Sequence, residues 1–294
     1  MIYTIKNQFL TVDVSDHGAE IQSIRSVKTG KEYLWQGNPE YWRNRATVIF
    51  PVCGRLCEGK YVYKGQTYEM IMHGFAKLCD FEVESHTEEQ LILVLKSNDF
   101  TRKQYPFEFV LKLTYTLEAD TIMQRFTVQN TDDKTLIFSC GGHPGFNAPF
   151  NDGEKFEDYY LEFSRPTTQY NVLFNPDGLC TGERKLYPLV DNRIVPLSHG
   201  MFDGSEPFLQ GDCREVSLKS KKNGTTITLK YDDILTLGTW KNMDENARFI
   251  CIEPWCGLPA ISGVIDDLET KLYMERLEPN KTWQTHFTIT IKEA

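Results

Sequence analysis

Phe109-Val110-Leu111-Lys112-Leu113-Thr114-Tyr115-Thr116-Leu117 sets an apolar residue at every second position, with Lys112, Thr114 and Thr116 mainly between them. Period-two alternation marks a half-buried strand, because successive side chains point to opposite faces of a sheet. After the turn Glu118-Ala119-Asp120, the residues Ile122, Phe126 and Val128 continue the pattern, which predicts a hairpin. A second hairpin is predicted at Asn223-Gly224, a pair that favours a tight type I′ turn, between Val216–Lys219 and Thr225–Lys230. Thr285–Lys292 alternates again, with Phe287, Ile289 and Ile291 on one face. Helical periodicity is weak, with short candidates only at Pro39–Arg43 and Asp99–Gln104. Strand signals recur along the chain with Gly, Asn, Asp and Pro between them, the pattern of an all-β sandwich or barrel. No linker or shift in composition divides residues 1–294, so one domain is expected, with long loops around residues 39–60, 141–156 and 175–212.

Of the 294 residues, 40% are hydrophobic and 25% charged, within the range of ordinary soluble proteins. A formal charge of −9 argues against nucleic acid and against an anionic membrane surface as partners. The expected partner is a small or neutral molecule. Met1–Asn7 lacks the apolar core of a signal peptide, and no uncharged run has the length of a membrane span. The eight cysteines form no Cys-x-x-Cys pair, and most sit in apolar or aromatic runs as small buried hydrophobes. A reducing cytoplasm is the expected compartment.

Two histidines stand out from six. His143 lies in Gly141-Gly142-His143-Pro144-Gly145-Phe146, directly after the apolar run Leu136-Ile137-Phe138, and His73 lies in His73-Gly74-Phe75. The first segment reads as a tight turn at a strand end, holding an imidazole beside room for a small molecule or merely capping a carbonyl. His17, His86 and His286 read as structural, and His199 is ambiguous. Glu253 ends the apolar stretch Phe249-Ile250-Cys251-Ile252 and precedes Pro254-Trp255. Burial raises a carboxyl pKa toward neutrality, which suits a general base, although an arginine or backbone amides could instead hold such a group. Trp255 and Trp240 could fill the core or present a ring to the C–H face of a sugar. No metal is expected, because His-x-His, His-x-x-x-His and His-Glu-x-x-His spacings are all absent. Neither a Gly-x-Ser-x-Gly elbow nor a Gly-x-x-x-x-Gly-Lys phosphate loop occurs.

Five segments together resemble the aldose 1-epimerase (galactose mutarotase) family, in particular its LacX-like branch. They are Phe50-Pro51-Val52-Cys53-Gly54-Arg55, His73-Gly74-Phe75-Ala76, Gly142-His143-Pro144-Gly145-Phe146-Asn147, Met201-Phe202-Asp203 and Ile250-Cys251-Ile252-Glu253-Pro254-Trp255. The resemblance implies a large antiparallel β-supersandwich. It further implies a cofactor-free isomerase that interconverts the α and β anomers of a hexose such as galactose or glucose. Glu253 then resembles the base on the C1 hydroxyl, His143 the acid on the ring oxygen across the sugar, and His73 a second histidine near the reacting end. Arg55 and Asp203 resemble groups that hold sugar hydroxyls, with Asn147 and Trp240 lining the pocket. A bell-shaped pH dependence is expected of such a pair. Two alternatives stay open. A hexose-6-phosphate 1-epimerase would need basic groups at the pocket, for which Arg55 and Lys77 are the candidates, and a non-catalytic sugar-binding protein could share the scaffold.

Overall fold

The hairpin that opens the reading is present: Phe109–Glu118 pairs antiparallel with Thr121–Asn130, Leu113 opposite Phe126. Along Phe109–Leu117 alternate residues are buried, while Lys112, Thr114 and Thr116 lie half-buried on the other face. The computed structural model describes residues 1–202 and 206–294. In it the hairpin lies inside a nine-stranded sheet. The C-terminal strand Thr282–Lys292 joins it along Thr121–Asn130 and links it to the strand Thr226–Lys230. A second, seven-stranded sheet runs in the order Cys180–Leu186, Gln169–Phe174, Phe208–Gly211, Thr236–Trp240, Phe249–Trp255, Gly141–Asn147, Ala46–Ile49. Every strand pair in the two sheets is antiparallel. Ile2–Lys6, Leu10–Ser15 and Ile21–Ser26 form a separate three-stranded sheet.

One continuous apolar core fills the space between the sheets, with Leu113, Phe126 and Phe287 from one side and Phe146, Ile250 and Ile252 from the other. The nine-stranded sheet turns its second face to water, hence its clean alternation. The strand Phe249–Trp255, by contrast, is buried at every position. Its residues Ile250 and Ile252 enter the main core, while Phe249, Cys251 and Trp255 pack into separate apolar clusters on the outer face, with Trp35, Tyr41, Trp42 and Phe174. A layer of loops covers this outer face. The architecture is a large antiparallel β-supersandwich, with one α-helix, Asp99–Gln104, among the described residues. Asn98 caps that helix by accepting from the Phe100 and Thr101 amides. No helix among the described residues is long and apolar enough to cross a membrane. All eight cysteines are buried and unpaired by disulfides.

Several local expectations need correction. Pro39–Arg43 forms a turn, not a helix: the Tyr41 and Trp42 amides bond to the Asn38 carbonyl and the chain then extends into the strand Ala46–Ile49. The Asn223-Gly224 hairpin has a longer loop, since its last pair is Lys219 with Thr226, and neither loop residue has positive φ. Asn223 instead accepts from the Thr225 amide and donates to Glu154, an Asx-type turn that replaces the type I′ geometry. The regions 39–60, 141–156 and 175–212 are not simple loops, since each carries at least one strand.

The most consequential correction concerns Gly141–Asn147, which is a central strand and not a turn. Its glycines lie outside the left-handed region, so close approach must explain them. A Cβ on Gly142 would stand 2.6 Å from the Phe287 ring of the facing sheet. Gly142→Ala therefore overpacks the interface between the sheets and should cost about 1–3 kcal/mol. A urea double-mutant cycle should show that penalty shrinking in a Phe287→Leu background. An undiminished penalty would mean that the glycine serves something other than this contact.

Candidate functional site

Two adjacent strands build the site. The register pairs Gly141 with Trp255 and Gly145 with Cys251, which sets His143 opposite Glu253 midway between. Both side chains rise from the outer face, and His143 Nε2 lies 3.1 Å from Glu253 Oε2. On its other side Glu253 is paired with Gly238, and Cys251 with Trp240. Gly145 completes the arrangement, because a Cβ there would stand 2.8 Å from the Trp42 ring. That space lets Trp42 lie flat on His143, with ring centres 5.0 Å apart and an interplanar angle of 29°. The imidazole Nδ1 is buried without a hydrogen-bond partner among the described residues, so stacking fixes the ring while leaving its tautomer free.

His73 arrives from a loop with φ of 67°, a left-handed conformation in which histidine is enriched relative to most side chains. Its amide donates to the Gly54 carbonyl at 2.8 Å, and the Gly54 amide donates to His73 Nδ1 at 3.3 Å. With Nδ1 accepting, the neutral ring carries its proton on Nε2. The ring meets His143 edge-on at 5.4 Å and Trp255 at 5.0 Å. Burial, together with the nearby His143, holds its pKa well below the usual histidine value. His73 is thus a fixed neutral donor.

Burial also governs the central pair. It pushes His143 down to about 3 and pushes Glu253 well above the ordinary carboxylate range, with Glu206 adding to the upward shift. Both groups therefore avoid charge, sharing one proton across the 3.1 Å contact. They form the floor of a cavity of about 450 Å³, within the usual size range for small-molecule sites.

The structure brings Glu253, His143, His73, Arg55 and Trp240 to this one cavity. Asn147 stands apart: it lies outside the lining and its carboxamide donates to the Glu32 carbonyl, as expected at the end of a strand that has run past the site. Asp203 lies outside the described residues. The acid and base are also not placed across a ring from each other, as the resemblance implied, but side by side. Trp42, Glu206, Phe208 and the segment Phe174–Gly178 line the cavity without having been singled out from the sequence. Asn175-Pro176-Asp177-Gly178 carries only a turn signal, and Trp42 in Tyr41-Trp42-Arg43 could equally fill a core. Lys77 is not part of the lining, since its Nζ donates to the Met72 carbonyl at 2.8 Å.

The family model described as aldose 1-epimerase matches residues 1–194. Protein LacX of Lactococcus lactis subsp. lactis, plasmid form, is 32% identical over 299 residues, covering 99% of each chain. A galactose mutarotase related enzyme from Lactobacillus acidophilus superposes with a TM-score of 0.95 at 38% identity, covering 100% of this chain and 98% of that one. A galactose mutarotase-like protein from Lactobacillus casei ATCC 334 superposes at 0.93 with 29% identity, covering 99% of this chain and all of the other. With an antiparallel supersandwich and a buried His–Glu pair beneath a small cavity, the chain belongs to the aldose 1-epimerase family.

Proposed function

We propose that the protein is a mutarotase that interconverts the anomers of an unphosphorylated hexose such as galactose or glucose. The observation that carries this reading is the 3.1 Å His143–Glu253 contact on the floor of the cavity. The hydroxyl oxygen O1 and the ring oxygen O5 of an aldose are both bonded to C1. A base for one and an acid for the other must therefore stand side by side, as these two do. Glu253 takes the proton from O1 while His143 gives one to O5; the C1–O5 bond breaks and C1=O1 forms. His73, with its Nε2–H, donates a hydrogen bond near the reacting end. Rotation about C1–C2 presents the other face of the carbonyl, and closure returns both protons. No group is consumed.

Proton count unifies the two directions. Opening starts from carboxylate and imidazolium and ends with carboxylic acid and neutral imidazole, which is the state burial favours. Closure starts from that neutral form. The pair with one proton is active in either tautomer, so only gaining a second proton or losing the first stops it. The aromatic side chains of Trp42 and Trp240 line the cavity and offer apolar contact to the sugar's C–H groups. The cavity is lined by Asp177, Glu206 and Glu253 against Arg55, and Lys77 is engaged elsewhere, which favours a neutral sugar over a sugar phosphate.

Polarimetry on freshly dissolved α-D-glucose and α-D-galactose tests the reading. Glu253→Gln and His143→Asn should each slow relaxation by a factor of about 10²–10⁴. Relaxation of the native protein no faster than the buffer rate, with sugar binding retained, would instead establish a non-catalytic sugar-binding protein. The pH profile should be bell-shaped, but its acid limb should lie toward about 3, where His143 is protonated. Its alkaline limb should appear where the shared proton is lost, above the ordinary carboxylate range. An acid limb near the ordinary histidine value would contradict the buried-pair account.

Stability should follow the same proton. Between pH 4.5 and 6.5 the unfolded chain binds one proton on these two residues (on His143), and the folded chain also binds one. The pair then gives no slope. Below 4.5 the unfolded chain binds two, so stability is lost as pH falls toward about 3. Above 6.5 the unfolded chain binds none, so stability falls as pH rises for as long as burial keeps the proton on Glu253 in the folded chain. Glu253→Gln removes that alkaline slope. Its Tm relative to the native protein should therefore climb with pH above 6.5, measured by calorimetry; a pH-independent difference would show that the folded pair holds no proton in that range.

A further inference from the structure

We propose that His143, Cys251 and Glu253 form a binding site for one thiophilic divalent cation, Zn²⁺ or Cd²⁺, whose occupancy blocks the cavity floor. Sequence spacing offers no metal motif, because the three ligands come from two adjacent strands distant in sequence. The strand Phe249–Trp255 puts Cys251 and Glu253 two residues apart on its outer face, and the register sets His143 beside both. A ligand atom from each lies within 4.8 Å of the other two. Gly145, paired with Cys251, contributes no side chain, and a Cβ there would stand 3.4 Å from the Cys251 sulfur. No Gly145 side chain therefore stands between the sulfur and His143, and Cys251 itself is fully buried beside Phe249, Trp42 and Trp240.

The donor set selects the ion. Imidazole, thiolate and carboxylate suit zinc-like metals, whereas magnesium and calcium prefer oxygen alone. Bond lengths of ~2.0–2.3 Å place tetrahedral ligand atoms about 3.3–3.6 Å apart, so from separations within 4.8 Å the sulfur needs to close by about 1.2–1.5 Å at most. His143 and Glu253 already stand 3.1 Å apart. One thiolate and one carboxylate neutralise a divalent ion, which removes the main cost of burying it. Binding displaces two protons, that of the Cys251 thiol and the one shared by the pair. Burial keeps the thiol protonated when no ion is bound, so affinity rises with pH. The fourth position faces the cavity, and the ion occupies both groups that the proposed reaction needs.

The inhibition rests on the proposed function; the binding does not. Titrating the protein with CdCl2 should produce an ultraviolet thiolate-to-cadmium absorption band that saturates at one ion per chain and is displaced by ZnCl2. Sugar relaxation should stop over the same titration. Cys251→Ala and Cys251→Ser should lose the band, weaken binding beyond the roughly 10–100-fold cost of losing an outer partner, and keep metal-free activity. Glu253→Gln, checked for folding by circular dichroism, should weaken Cd²⁺ binding without removing the band. A band that survives in both Cys251 variants would assign the ion to other thiols, such as Cys140 and Cys256 at 3.8 Å, and overturn the site. Absence of a one-equivalent band in the native protein would overturn it too. A one-equivalent band lost on Cys251 substitution in a protein without mutarotase activity would keep the ion site and discard the proposed function.

Discussion

Cross-strand register is the constraint on which the rest of this molecule depends. His143 and Glu253 meet because Gly141 pairs with Trp255 and Gly145 with Cys251. A slip of one residue in either strand would turn its side chain into the core between the sheets, since strand faces alternate. The register is pinned from both sides. Phe146, Ile250 and Ile252 are locked into the main core, and Phe249, Cys251 and Trp255 into the clusters on the outer face. The same pinning explains why a strand carrying a catalytic-type carboxylate is otherwise apolar from end to end. It has two interiors to satisfy.

Much of the fold was legible because alternation is a direct imprint of one wet and one dry face. Phe109–Val128 and Thr285–Lys292 belong to such a sheet, and both read correctly. The histidine strand did not, because its signal is inverted. Three glycines and a proline look like a turn when read alone, yet here Gly142 and Gly145 make room for Phe287 and Trp42. Those contacts come from residues distant in sequence, and no local pattern announces them. Glu253 was legible for the opposite reason: a carboxylate at the end of an apolar run is costly enough to demand a purpose. Trp42 and Glu206 were not, since an aromatic in a polar loop and an acid near a glycine are common for many reasons.

The electrostatics of the site follow from the same burial. A carboxylate and an imidazolium in contact would ordinarily stabilise each other, but here the loss of water works against both charges. One proton between two bases is the compromise, and its two tautomers correspond to the two ends of the hemiacetal opening proposed above. A group held by hydrogen bonds to arginine or to backbone amides would be locked in one form. Glu253 has Gly238 on one flank and His143 on the other. His73 differs in kind, since the Gly54 amide pins its tautomer and makes it a constant donor beside a variable pair.

These requirements also expose the site to ions. A pair that works by passing a proton must keep unshared lone pairs close together, desolvated and open to a cavity. That is a description of two metal ligands. Most such pairs are protected by having no third donor within reach. Here the two-residue repeat of the strand puts the Cys251 sulfur on the same face as Glu253, and the glycine that admits Trp42 puts no side chain of its own between the sulfur and His143. The protonated thiol is then the remaining barrier, and a thiophilic cation can displace that proton where magnesium and calcium do not. Geometry that lets one proton move freely between two atoms is geometry in which a divalent ion can replace it.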